Sequence, residues 1–204
     1  MGRKSDHPVL APPGAGLPWS QALMGRYFLL PYFCLTHSWD GAQRVFQREG
    51  RRVLDLAEPL TGDELATRVL VYGVIGIEDS SRYWSVALAL EHLIIVGEIM
   101  AEIVVALSHD QAPSARVDIA GVKPPGKLPA AEAIQAYRSL LARYQRRMRE
   151  EIGERRSRRL LDHPWFGEIN VHQWHCLAAM HQRIHRRQIE AIVKCLHRGT
   201  GFPL

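Results

Sequence analysis

Between residues 170 and 197 one side of the chain recurs every three or four residues: Trp174, Ala178, His181, His185, Gln188 and Ile192. That period predicts a long α-helix with this stripe turned inward. Within it, His181 and His185 are four residues apart and so lie one above the other on the same face. Two imidazoles placed that way can converge on one metal ion, and on an inward face they need partners.

The rest of the chain supplies helices of similar kind. A first runs over about 38–57, with Val45, Phe46, Val53, Leu54 and Leu56 as apolar positions and Pro59 and Gly62 closing it. The run Leu70–Ile77 reads equally as a strand or as a buried connector, because Gly73 and Gly76 interrupt it. Asp79, Ser80 and Ser81 are good N-cap residues and predict the start of a second helix that continues to about Leu107. A Pro/Gly loop over 113–129 leads to a third helix, about 130–152, with Ile134, Tyr137, Leu140, Leu141 and Tyr144 at helical spacing. Asn170 and Gln173 form a variant capping box for the fourth, and Gly199 and Gly201 end it. The expected fold is all-α, a four-helix bundle with long connecting loops, and no internal repeat competes with it.

At 204 residues the chain is long enough for one domain with a substantial core. Residues 1–18 hold several prolines and glycines and no apolar period, so they are expected as a flexible tail, with 19–204 as the single bundle domain. The opening Met1-Gly2-Arg3-Lys4-Ser5-Asp6 is close to a myristoylation signal, but Asp6 stands where Ser or Thr is required, and no lipid anchor is expected. Two apolar stretches fail as membrane spans. Ala22–Leu35 carries Arg26 and Pro31 and is short, while Val86–Leu107 contains Glu91, His92, Glu98 and Glu102. The three cysteines, Cys34, Cys176 and Cys195, show no disulfide spacing and suit a reducing compartment, so the protein is expected in the cytoplasm.

Two histidines alone hold a metal weakly. The best third ligand is His92, because Leu88, His92, Ile95 and Ile99 share a face of the second helix. A single histidine on an apolar stripe is commonly a hydrogen-bonded core residue, but two at ligand spacing and a third on a partner helix point to a metal. Gln188, one turn beyond His185, can orient a ligand imidazole or meet a substrate. His172 and His175, at i and i+3, lie off the Trp174 face and are expected to be solvated or to pack against a loop. Cys176 is displaced about 140° around the helix from His181, and Cys195 lies roughly 15 Å along the axis from His185, so neither can serve that centre as a nucleophile.

The residues Trp84, His92 and Leu93, then His181, His185, Arg186 and Gln188, carry a resemblance to the DinB-like (YfiT-like) superfamily, whose members pair a Trp and a His-Leu on the second helix with His-x-x-x-His-Arg-x-Gln on the last. His163-Pro164-Trp165-Phe166-Gly167, followed by Trp174, is similar to the lead-in of an uncharacterised branch. The resemblance is close over 83–101 and 163–192, and extends to the other helices only as architecture. Many members have a second histidine where this chain has Ile184, and a glycine where it has Arg187; neither difference removes a ligand.

The resemblance implies that His92, His181 and His185 bind a divalent ion with a position left open, the ligand pattern of a catalytic zinc site. The ligand types suit zinc, nickel or iron about equally. It further implies a thiol S-transferase or a hydrolase acting on a small electrophile, with a low-molecular-weight thiol as a second cofactor, and a homodimer. The alternatives are a non-catalytic metal-binding protein of stress response and a basic nucleic-acid module. Eight arginines between Arg143 and Arg159 favour the last, but Glu150, Glu151 and Glu154 interrupt them, and Tyr144 is the only aromatic among them.

Overall fold

The computed structural model describes residues 8–114 and 118–199. Four long helices make the frame: α3 (Trp39–Ala57), α5 (Val86–Ser108), α6 (Ala130–Glu150) and α7 (Val171–Gly199). Ahead of them lie α1 (Trp19–Met24) and α2 (Leu30–Thr36), joined by a π-helical turn, Gly25–Leu29, and between α3 and α5 sits a short α4 (Gly62–Ala66). Each long helix packs against two others, in the cyclic order α3, α7, α5, α6, so the bundle closes on itself. Trp174, Tyr137, Tyr144, Phe46, Leu90 and Ile103 are among the largest fully buried side chains and fill its axis.

Local chemistry explains most of the boundaries. Ser38 caps α3, its Oγ accepting from the N–H of Gly41 at 3.2 Å. The N–H of Gln173 donates to Asn170 Oδ1 at 3.0 Å while the N–H of Asn170 donates to Gln173 Oε1 at 2.9 Å, a reciprocal cap that starts α7 where the sequence predicts it. α7 ends at Gly199, the first of the two glycines expected to stop it; Gly201 and the Met1–Asp6 segment lie outside the described residues. The π turn precedes Pro31, which has no N–H to give to the turn before it, and a widened turn absorbs that missing bond.

The sequence reading requires correction at the start of α5. Asp79–Ser81 forms only a 3-10 turn, and the next residues pair as strands: β1 (Val69–Leu70) lies antiparallel to β2 (Tyr83–Trp84), with Val69 opposite Trp84. The Asp79 carboxylate is taken by the N–H of Ala11 at 2.7 Å and by Arg82 at 2.6 Å, so it cannot cap a helix. Ser85 does so instead, accepting from the N–H of Leu88 at 3.2 Å. Of the Leu70–Ile77 run, Leu70 alone lies in a strand. A second hairpin, β3 (Leu161–His163) with β4 (Gly167–Ile169), stands just before α7. Its turn is closed by the N–H of Phe166 donating to the carbonyl of His163 at 3.1 Å, and Gly167 follows at φ +69°, a conformation that favours glycine.

Two contacts pin the long loop between α5 and α6. The buried Glu91 carboxylate accepts from the N–H groups of Gly126, Lys127 and Leu128 at 2.8, 3.1 and 3.2 Å. One residue on, His92 Nδ1 donates to the carbonyl of Val122 at 2.8 Å. The stretch from Ala11 to Gly16 is also tied down. The N–H groups of Gly14 and Gly16 donate to the buried carboxylate of Glu78 at 3.3 and 2.9 Å. None of the helices in the described residues is long and apolar enough to cross a membrane.

Candidate metal centre

His92 on α5 faces His181 and His185 on α7, the helix beside it in the bundle. One ligand nitrogen from each of the three lies within 4.8 Å of the others. His92 Nε2 and His181 Nε2 are 3.2 Å apart, and the ring centroids are separated by 4.4 to 5.1 Å. His92 and His185 are buried, His181 is half-buried, and all three line one cavity.

The outer nitrogens decide what the inner ones can do. His92 Nδ1 is committed as a donor to the Val122 carbonyl. His185 Nδ1 lies 2.7 Å from Gln188 Oε1, and Gln188 Nε2 in turn donates to the Ser81 carbonyl at 2.7 Å, which fixes the amide's orientation and makes its oxygen the acceptor. In both imidazoles the proton therefore sits on Nδ1 and leaves a lone pair on Nε2, which in His92 faces His181 Nε2 at 3.2 Å. Gln188 is fully buried behind His185, so the arrangement gives it the task of orienting that ring.

Burial also keeps these rings uncharged. Desolvation lowers the pKa of His92 to about 4, and holds His181 and His185 well below the ordinary histidine value, with the neighbouring histidines adding to the shift. The indole of Trp84 forms one wall, its centroid 5.1 Å from that of His92 and 6.2 Å from that of His185. Three neutral imidazoles, two of them locked by outer hydrogen bonds, are a donor set that fits a divalent metal ion.

The cavity leading from this point has a volume of about 80 Å³, and its wall includes Ile77, Val96, Met100, Lys123, Trp165 and Trp174. Lys123 reaches the wall but is not free: its Nζ pairs with Glu78 at 2.6 Å and donates to Ser81 Oγ at 2.8 Å. His163, at the end of β3, lines the cavity too.

Comparison with protein-family models matches residues 45–189, a stretch that includes all three imidazoles and all four long helices in whole or part. The chain belongs to the DinB superfamily. Among solved structures, a crystal structure of TT2238, described as a four-helix bundle protein, is similar at 18% identity and a TM-score of 0.49, over 76% of this chain and 99% of that one. None of the curated proteins compared with this chain matches it.

In this DinB-superfamily chain the remaining histidines and cysteines of α7 fall elsewhere. His175, expected at the solvent or against a loop, is fully buried in the bundle: it stacks on Trp39, lies 3.2 Å from the Trp39 carbonyl through Nε2, and bonds the Tyr144 hydroxyl through Nδ1 at 3.0 Å. The reason is α3, which packs its Trp39 onto α7 and turns that side of the helix into core. His172 Nε2 sits 3.6 Å from Cys176 Sγ and 3.4 Å from the Cys34 carbonyl. Several of the arginines between 143 and 159 are in ion pairs: Arg147 with Glu151, Arg149 with Glu150, Arg143 with Glu98 on α5 and Arg155 with Asp40 on α3.

Sequence reasoning passed over Glu78, Ser81, Val122 and Lys123 as parts of the site. They come from loops, and no spacing relates a loop residue to a helix stripe. The one available signal at this cavity was the His163–Gly167 lead-in and the Trp174 that follows it.

Proposed function

We propose that this protein is a metal-dependent enzyme in which His92, His181 and His185 hold a divalent ion, zinc, nickel or iron, with one coordination position left toward the cavity. The observation that carries the reading is the meeting of three neutral imidazoles from α5 and α7 on the wall of a largely apolar cavity. When bound there, such an ion supplies Lewis acidity that lowers the pKa of a thiol or a water molecule. The reaction is the transfer of a low-molecular-weight thiol to a small electrophile, or the electrophile's hydrolysis. Gln188 and the Val122 carbonyl hold the ligand rings in register, Trp84 covers them, and the apolar wall keeps bulk water away from the reacting groups.

The working form is a homodimer in the cytoplasm. The described cysteines are all free, which suits a reducing compartment. The α1–α2 segment exposes an unusual run of large apolar side chains, with Trp19 at 77% and Leu35 at 86% exposure and Tyr27, Phe28 and Tyr32 also outward. A face of that kind on a monomer marks an interaction site, and a second copy of the segment covers it best.

Elemental analysis of the purified protein tests the centre. The wild type is expected to carry about one divalent ion per chain, and His181→Ala, His185→Ala and His92→Ala each to lose it, since two ligands make a poor chelate. Unchanged metal content in all three variants would overturn the assignment. Assays of the loaded protein with panels of thiols and electrophiles then test catalysis, and metal without any metal-dependent turnover would leave a binding protein instead.

A further inference from the structure

The cavity has polar groups on its wall besides the imidazoles. Trp174 lines it, two helical turns ahead of His181 on α7, and its side chain is fully buried. The indole Nε1–H has no hydrogen-bond partner among the described residues. Buried donors are paired in the great majority of cases, and an indole N–H can only donate. An unpaired one on a side chain that borders a cavity is placed to meet an acceptor that comes from outside.

His163 stands beside it. The two ring centroids are 5.3 Å apart, and both rings line the same cavity. The His163 Nδ1 accepts the backbone N–H of Trp165 at 3.1 Å, an arrangement imposed by the hairpin turn through Pro164. That bond places the ring proton on Nε2 and makes His163 a second neutral donor. Around the pair the wall is apolar, with Val96, Ile99, Met100 and Trp165.

The geometry points to a ligand subsite at Trp174 and His163, which takes a carbonyl or carboxylate oxygen of a small molecule with an apolar body while the molecule's other end lies at the three imidazoles. The two ends are spaced for such a molecule: seven residues of helix separate Trp174 from His181, about 10 Å along the axis, the length of a chain of six or seven carbons. The inference deepens the proposed function and rests on it for the reacting end, but the donor pair itself is built without the metal.

The test uses hexanamide and hexanoate, which share a tail and differ in the charge of the acceptor, added to the full-length ¹⁵N-labelled protein both as purified and after chelator treatment. The Trp174 indole N–H resonance, identified by its absence in Trp174→Phe, is expected to move downfield with at least one of the two probes in both preparations, while those of Trp19 and Trp39 stay. Trp174→Phe is expected to weaken the responding probe at least ten-fold with metal content unchanged, and His163→Phe to weaken it by a smaller factor. An indole resonance that stays in place up to saturating probe, or equal affinity in wild type and Trp174→Phe, overturns the subsite. Should Trp174→Phe not fold, the wild-type titration decides alone, with Trp19→Phe, Trp39→Phe, Trp84→Phe and Trp165→Phe assigning the Trp174 resonance by elimination. Loss of the proposed metal centre would show separately, as an absence of metal from the wild type, and the indole response would still decide for or against the subsite.

Discussion

At the scale of single residues, Gln188 shows how a polar side chain in a core can be fully occupied. Its amide bonds His185 on one side and the Ser81 carbonyl on the other, so it links that imidazole to the loop before β2. Gln188→Ala is expected to leave the bundle folded and to weaken metal binding about 10- to 100-fold, read by competition with a chelating dye. An unchanged affinity would mean that His185 needs no orienting partner. The second buried polar cluster is structural. His175 joins Trp39 to Tyr144 across α3, α6 and α7, and Tyr144→Phe leaves its Nδ1 without a donor. The expected loss is about 1–3 kcal/mol in urea unfolding, with metal content unaffected.

At the scale of elements, α5 begins where tertiary contacts allow and not at the first good cap. Asp79 and Ser81 are drawn into bonds with Ala11, Lys123 and Gln188, and Tyr83 and Trp84 pair with β1, so the helix waits for Ser85. Ser85→Ala is expected to cost about 1 kcal/mol in chemical denaturation, whereas Ser80→Ala, whose hydroxyl bonds only Glu78, changes stability by about 0.5 kcal/mol or less. Equal effects would show that the 3-10 turn contributes to the helix start. The same few residues also set where Trp84 stands against the His92 and His185 rings, so the boundary of α5 shapes the candidate site.

At the scale of the whole molecule, buried neutral histidines make stability depend on pH. Burial lowers His92 and His163 to about 4 and His175 to about 3, against about 6.5 in the unfolded chain. In that window the unfolded state binds more protons, so stability rises with pH there. It is expected to be flat above about pH 7, to fall as pH drops below 6.5, and to lose the whole of this contribution near pH 3. Urea midpoints at pH 8, 6.5 and 5 check the sign, and a midpoint that rises toward pH 5 would contradict the burial of these rings. Assembly is the other property at this scale. Light scattering is expected to give twice the chain mass of 23.1 kDa, and Phe28→Asp with Tyr32→Asp to give a single chain at unchanged helicity.

The bundle could be read from the chain because its determinants are local and periodic. The stripes of α3, α6 and α7, the Asn170–Gln173 cap and the His181–His185 spacing all repeat within a few residues, and helix geometry converts such repeats directly into faces. His92 was legible for the same reason, as one position on an apolar stripe. What depends on residues far apart in the chain was decided only by folding. The packing of Trp39 made a core residue of His175, the Ala11, Arg82 and β1 contacts moved the start of α5, and the carbonyls of Ser81 and Val122 set the protonation of the His185 and His92 rings. The helix α2, read in the sequence only as part of an apolar stretch, packs against α7 although it carries a proline that local rules treat as a break. Spacing along a helix is a property of the chain itself, whereas the partner that satisfies a buried polar atom is chosen by three-dimensional proximity, which no local pattern encodes.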